Sequence, residues 1–221
     1  MSTPTTIDTE TELSAVNTIL GAIGQSPVTT LGRVTSDTTN TASEIANTFA
    51  NPEIALIYQI LKECNFDVQN EGWTFNREDH VKYTPDTTTK EIIIPSNVLR
   101  IDSENPEDKT IVPVRRNGKL YDKVNHTFEW DLEELYVNII LLFPYDDLPS
   151  VFKRYITYKA SGRAATQMIS NPQLVQLLAV QEQMARASCM EYECNQGDYN
   201  MLGMPHETHY STYKPYRALQ R

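Results

Sequence analysis

The sequence predicts an α+β protein: an antiparallel bundle of four main helices, two from each end of the chain, with an inserted small, mostly antiparallel β-sheet and an extended C-terminal arm. Three observations predict it. Apolar residues recur at helical spacing at both ends of the chain, the interval 73–143 is rich in strand-favouring residues, and the end of the chain is studded with tyrosine but poor in aliphatics. The boundaries that follow are 1–72 for the N-terminal helices, 73–143 for the sheet, 144–197 for a helical hairpin completing the bundle, and 198–221 for the arm.

Thr9 with Glu12 reads as a capping box in front of Leu13, Val16, Leu20 and Ile23, and Gly24-Gln25-Ser26-Pro27 ends that helix. A polar loop runs to Asn40. Thr41 with Glu44 is a second capping box, opening a helix that carries Ile45 and Phe49. Asn51-Pro52 kinks or splits it, because proline lacks the N–H and crowds the preceding turn. Ile54, Ile57, Leu61, Cys64 and Val68 continue the helical pattern to about Asn70.

From Trp73 the period becomes extended. Ile92-Ile93-Ile94, Ile111 to Val114 and Leu135 to Phe143 read as strands, with a further one between Tyr121 and Trp130. Asn117-Gly118 between Arg116 and Lys119 is a hairpin signal for a type I′ turn. Pro95 and Pro113 belong on edges or bulges, where a missing ladder donor is tolerated.

The first helix of the hairpin is expected to open at Asp147-Leu148-Pro149, with Asp147 as its cap, and to run to about Ile169. Val151, Tyr155, Tyr158, Gly162, Ala165 and Ile169 fall on one face, and the small pair Gly162 and Ala165 lets another helix approach there. Lys153, Arg154, Lys159 and Arg163 make this helix basic, with no acidic residue. Against contact with DNA backbone, and against the plainer reading of a solvated face whose stems cover apolar surface, a protein interface at Lys153, Lys159 and Arg163 suits an otherwise acidic chain better. Ser170-Asn171-Pro172 stops this helix and caps the next. That helix shows Leu174, Leu177, Leu178, Gln181, Ala185, Ser188 and Tyr192 on one face and Glu182 with Arg186 as an outer pair, and closes at Gly197.

The arm holds Tyr199, Tyr210, Tyr213, Lys214, Tyr216, Arg217 and Arg221, residue types that anchor interfaces. The alternative is an ordinary loose terminus; a docking arm that orders on contact is the favoured reading.

The chain of 221 residues carries a net charge of -10, which argues against a conventional DNA binder, since such a protein needs a basic face to release counterions. The acidity is compatible with a wall that DNA slides past, and equally with a charge that simply keeps the subunit in solution. Hydrophobic content of 40% and no apolar run near membrane-spanning length argue against a span. The start, Met1-Ser2-Thr3-Pro4, lacks the pattern of a secretion signal. Three cysteines, with Cys189 and Cys194 pointing apart on a helix, read as reduced thiols.

Candidate chemistry is thin. His206-Glu207-Thr208-His209 lacks the zinc-protease spacing, and no metal site or cofactor is expected. The pairs Glu107-Asp108, Glu133-Glu134 and Asp146-Asp147 are adjacent in sequence and do not by themselves face one another across a cleft, as a glycosidase requires. No phosphate loop and no nucleophile elbow occur. A non-enzymatic protein is expected, with a hydrolase acting on host surface polysaccharide as the alternative.

Several runs also carry a family resemblance. Phe143-Pro144-Tyr145-Asp146-Asp147-Leu148-Pro149, Cys189-Met190-Glu191-Tyr192-Glu193 and Gly197-Asp198-Tyr199-Asn200-Met201-Leu202 resemble the tail tubular protein A family, the head-to-tail adaptors of short-tailed bacteriophages. So do Glu12 to Asn17 with Ile19-Leu20 and Ile23-Gly24, and Gly72-Trp73-Thr74-Phe75-Asn76, in the right order. The resemblance implies a structural virion protein at the head–tail interface. It implies a homo-oligomeric, dodecameric ring that binds the portal protein above and the nozzle protein (tail tubular protein B type) below, and helps to seat the tail fibre protein. DNA would pass through the lumen only as cargo. The terminal arm would grip the portal.

Overall fold

The computed structural model describes residues 10–29, 31, 51–103, 111–169 and 171–197. Among them it is an α+β structure of four α-helices, a three-stranded antiparallel sheet and a two-stranded hairpin. The arm from 198 onward lies outside the described residues, as do the proposed capping box at Thr41 and Glu44 and the helix that carries Ile45 and Phe49. Two compact units emerge, one from Met1–Val68 with Pro144–Met190 and the other from Gln69–Phe143 with Glu191–Arg221, each in its described part.

In the first unit, α1 spans Glu12–Ala22 and buries Ala15, Val16, Ile19 and Leu20. Its cap is Thr11, not Thr9: the Thr11 hydroxyl accepts from the Ser14 N–H at 3.3 Å. Glu12 is used elsewhere, because its carboxylate accepts from the Tyr58 hydroxyl at 3.0 Å. The Asn17 amide clasps Val28, donating to its carbonyl at 2.9 Å and accepting from its N–H at 2.8 Å, which folds the chain back after Gly24. Helix α2, Pro52–Asn70, starts with proline in its first turn, where no N–H is needed, and the Asn51 side chain accepts from the Glu53 N–H at 3.0 Å. Ile57, Ile60, Leu61, Cys64 and Val68 are its buried stripe.

Helix α3, Ser150–Met168, packs on α1, and α4 spans Pro172–Gly197. The Asn171 side chain caps α4, accepting from the Gln173 N–H at 3.0 Å. Asp147 does not cap α3. It ends a 3-10 turn over Tyr145–Asp147, and Pro149 stands at the cap position without a side-chain bond. Asp146 instead accepts from the Glu12 N–H of α1 at 3.2 Å.

The second unit is built on β5, Leu135–Leu141, which lies between β1, Arg77–Tyr83, and β2, Val98–Ser103. Leu135, Val137 and Ile139 of β5 meet Ile92, Ile94, Val98, Leu120 and Trp130 in one core. Strand β1 carries a bulge between Glu78 and Val81, where His80 adopts φ 59° and stacks on Tyr136 with ring centroids 4.4 Å apart. Strands β3, Pro113–Arg116, and β4, Lys119–Asp122, form the hairpin turned by Asn117 and Gly118 at φ 53° and 72°. The expected strand at Ile92–Ile94 is reduced to a single bridge, Ile93 with Lys119, and Tyr121 to Trp130 supplies the end of β4 and a single bridge, Asp122 with Thr127, in place of a further strand.

Candidate functional site

The surface of interest is the α3–α4 hairpin. Three contacts run in opposite senses along the two helices and so set them antiparallel. The Cys189 thiol donates to the Val151 carbonyl at 3.5 Å, Arg186 donates to the Tyr155 hydroxyl at 2.9 Å, and a Cβ at Gly162 would lie 3.9 Å from the Glu182 carboxylate. The buried arc of α3 is broader than the expected face and rotated from it. Phe152, Tyr155, Ile156, Thr157, Ala160, Ser161, Ala164 and Ala165 are buried, Val151, Tyr158 and Gly162 are half-buried, and Ile169 is exposed. The hydroxyls on this arc are satisfied at home: Thr157 donates to the Lys153 carbonyl at 2.7 Å and Ser161 to the Thr157 carbonyl at 2.8 Å. Sequence reasoning passed over Thr157, Ala160, Ser161 and Ala164 because small and hydroxylated residues carry little hydropathy signal, yet on a helix they permit close packing.

The cations of α3 have different settings. Lys153 is half-buried and lines a cavity of about 240 Å³ with Ser14, Thr18 and Tyr158. Lys159 sits with its ammonium 5.7 Å from the centre of the Tyr155 ring, and the Arg186 guanidinium lies 5.9 Å from that same ring. Arg163 donates to Asp67 of α2 at 2.8 Å and lies 3.6 Å from Glu63; the hydrogen bond to Asp67 holds its proton even more firmly than usual. Gly162 lines an open groove of about 400 Å³ between the two helices together with Lys159, Arg163 and Glu182, and Ala165 is buried outside that lining. Arg186, expected to pair outward with Glu182, is turned toward Tyr155. The arm residues Tyr199, Tyr210, Tyr213, Lys214, Tyr216, Arg217 and Arg221 lie outside the described residues.

The face of α4 that sequence reasoning grouped together is divided. Leu178, Ala185 and Cys189 are buried, whereas Leu177 is 66% exposed; with Val180 at 48% and Met184 at 67% it forms an apolar stripe directed at solvent. The signal was present in the sequence, since Pro172–Gln181 contains no charged residue and only Gln173, Gln176 and Gln181 as polar side chains to hold in water.

Two of the carboxylates raised as hydrolase candidates, Glu134 and Asp146, have structural uses. Glu134 accepts from Lys82 and from the Tyr136 hydroxyl, and the Lys82 bond holds it below the ordinary carboxylate range, the opposite of a general acid. Asp146 accepts from the α1 backbone, as above, and Glu107-Asp108 lies outside the described residues. Among the described residues no group of three or more His, Cys, Asp or Glu is placed to hold a metal ion, and no helix is long and apolar enough to cross a membrane. Cys64, Cys189 and Cys194 are free thiols.

Among the described residues, four helices and a small antiparallel sheet make this an α+β protein. The family model described as Tail tubular protein matches residues 13–199. The chain belongs to the tail tubular protein family of short-tailed phages and is a structural component of the phage tail. No curated protein matches it.

Proposed function

We propose that the protein is the head-to-tail adaptor of its virion. Copies close into a dodecameric ring beneath the portal, receive the nozzle protein below and seat the tail fibres at the rim, and the genome leaves through the lumen. In this reading the four helices form the bundle of the ring wall, the sheet unit offers edges and loops to nozzle and fibre, and the arm from Asp198 to Arg221 grips the portal.

The observation that carries the reading is the apolar stripe Leu177, Val180 and Met184, exposed on a long helix of a tail protein. Such surface is costly to leave in water and marks a contact with another chain. The net charge of -10 also suits a lumen through which DNA slides without sticking. The basic helix α3 and the arm give the acidic chain two places to meet acidic partners.

The test is deletion of Asp198 to Arg221 followed by co-sedimentation with the portal protein of the same phage and negative-stain microscopy. The full chain is expected to form rings on the portal, and the truncated chain to lose portal binding while keeping its melting temperature. A truncated chain that still caps the portal would remove the arm from the account. A full chain that stays monomeric on the portal would remove the adaptor reading itself.

A further inference from the structure

We propose that the cavity between α1 and α3 is an anion site for inorganic phosphate, in which Lys153 and Arg154 meet the charge and Glu10 accepts the proton that the ion retains. The site is independent of the ring.

Helical spacing builds the cavity. Ser14 and Thr18 stand four apart on α1, and Ser150, Lys153, Arg154 and Tyr158 stand at i, i+3, i+4 and i+8 on α3, so each set shares a face. The two helices pack together, and these residues with Glu10 line about 240 Å³. Drug-sized ligands occupy roughly 300–1,000 Å³, so this volume suits a small ion and a few waters.

Part of the lining is already bonded. Thr18 donates to the Ser14 carbonyl at 2.9 Å, and the Tyr145 and Thr157 hydroxyls meet at 3.0 Å beside the Lys153 carbonyl. Five other groups are not. Among the described residues, the Ser14, Ser150 and Tyr158 hydroxyls, the Lys153 ammonium and the Arg154 guanidinium have no hydrogen-bond or ion-pair partner. Arg163, further along the same helix, is engaged by Asp67 and Glu63. A chain with 29 acidic residues against 19 basic ones has carboxylates to spare, yet it gives none to half-buried Lys153 or to its neighbour. A cation drawn partly out of water without a partner is unfavourable, and an anion from solution relieves it.

The donors and Glu10 together select the anion. Two cations and three hydroxyls exceed what the two oxygens of a carboxylate can use, whereas a tetrahedral phosphate presents four. Glu10 lies in the same lining and repels any anion that has no proton to give. The neighbouring carboxylates Glu12 and Asp146 lie outside the lining, bonded to the Tyr58 hydroxyl and the Glu12 N–H. At neutral pH inorganic phosphate still carries an O–H, which Glu10 can accept. Sulfate, of the same shape, and the diester of a DNA backbone carry none. Glu10 therefore acts as the filter that admits phosphate and turns the others away.

Equilibrium dialysis of the full chain against labelled phosphate reads binding directly. Melting in sodium phosphate against sodium sulfate at equal ionic strength cancels the general stabilisation that both salts give. One phosphate per chain is expected, with a melting temperature about 2–4 °C higher in phosphate than in sulfate. Lys153→Met and Arg154→Gln are each expected to weaken phosphate binding at least tenfold while melting normally in phosphate-free buffer. Glu10→Gln is expected to admit sulfate, so that the two salts protect equally. Equal protection by phosphate and sulfate in the parent chain would overturn the proposal, as would unchanged binding in Lys153→Met or discrimination that survives Glu10→Gln. Displacement of the label by a DNA duplex without terminal phosphates would make the cavity a diester site. Uptake that never saturates would mean an adventitious ion only; either result also overturns the assignment.

Discussion

The side-chain amide of Gln69 holds the backbone of Phe143 at both ends, donating to its carbonyl at 2.9 Å and accepting from its N–H at 2.8 Å. Gln69 is fully buried, and these two residues open and close the main segment of the sheet unit. The amide thus acts as the next ladder partner where β5 ends. Gln69→Leu keeps the volume but strips a donor and an acceptor from Phe143. With each unsatisfied group costing ~1–3 kcal/mol and Phe143 only half-buried, a loss of about 2–3 kcal/mol in urea unfolding is expected. A loss under about 0.5 kcal/mol would mean water replaces the amide freely.

Gly72 packs against Ile140 of β5 at φ 80°, and a Cβ there would lie 2.6 Å from the Ile140 Cδ1. Gly72→Ala is expected to cost about 1–3 kcal/mol, from the left-handed backbone and the contact together. Ile140→Val deletes the colliding methyl. In a double-mutant cycle it should recover the contact part and leave the backbone part. Strict additivity of the two changes would place the whole cost in the backbone.

The helices were legible where capping and apolar period agreed, as at Asn171-Pro172, and the Asn117-Gly118 hairpin followed from turn chemistry alone; at Asn51-Pro52 a kink or split was read where the described residues show Asn51 capping the start of α2. Strands β1 and β2 were missed. β1 reads Arg-Glu-Asp-His-Val-Lys-Tyr, a sheet edge with most of its side chains in water, so its partner β5 makes it a strand and not its own composition. Ile92-Ile93-Ile94 misled in the other direction: a β-branched run reads as a full strand, yet its neighbour β4 spares it one bridge. At the candidate site, composition singled out the cations of α3. It could not say that Arg163 is engaged by Asp67, because that pairing joins residues 96 apart in the chain. The α4 stripe was within reach, but Leu177 and Leu178 were grouped on one face when only Leu178 points inward.

The Arg163–Asp67 pair links α3 to α2 at a partly exposed site, with Arg163 34% and Asp67 45% accessible at the side chain. Pairs of this exposure contribute ~0.2–1 kcal/mol. Arg163→Met, which keeps the stem that covers the helices, is therefore expected to cost less than about 1 kcal/mol in thermal unfolding and to show less effect still at high salt. A loss of several kcal/mol would mean that the pair is desolvated in the assembled state or that the stem carries more packing than its exposure indicates.

Alkaline pH should loosen the helical unit, and the sign follows from two buried acids. Burial pushes the Cys64 thiol from 9.0 up to about 11, and burial, opposed in part by the Thr157 hydrogen bond, pushes the Tyr145 hydroxyl from 10.0 to about 12. Both are neutral in the folded chain at pH values where the unfolded chain already ionises. Their contribution is intact below the unfolded values and is lost as pH rises through the folded ones. The urea midpoint is expected to fall from pH 9 upward, with the thiol acting between 9 and 11 and the phenol between 10 and 12. Cys64→Ala should lower stability at neutral pH through the cavity it leaves, yet flatten the earlier part of the decline and spare the later part. A midpoint that stays level across this range in the parent chain would mean that water reaches both groups.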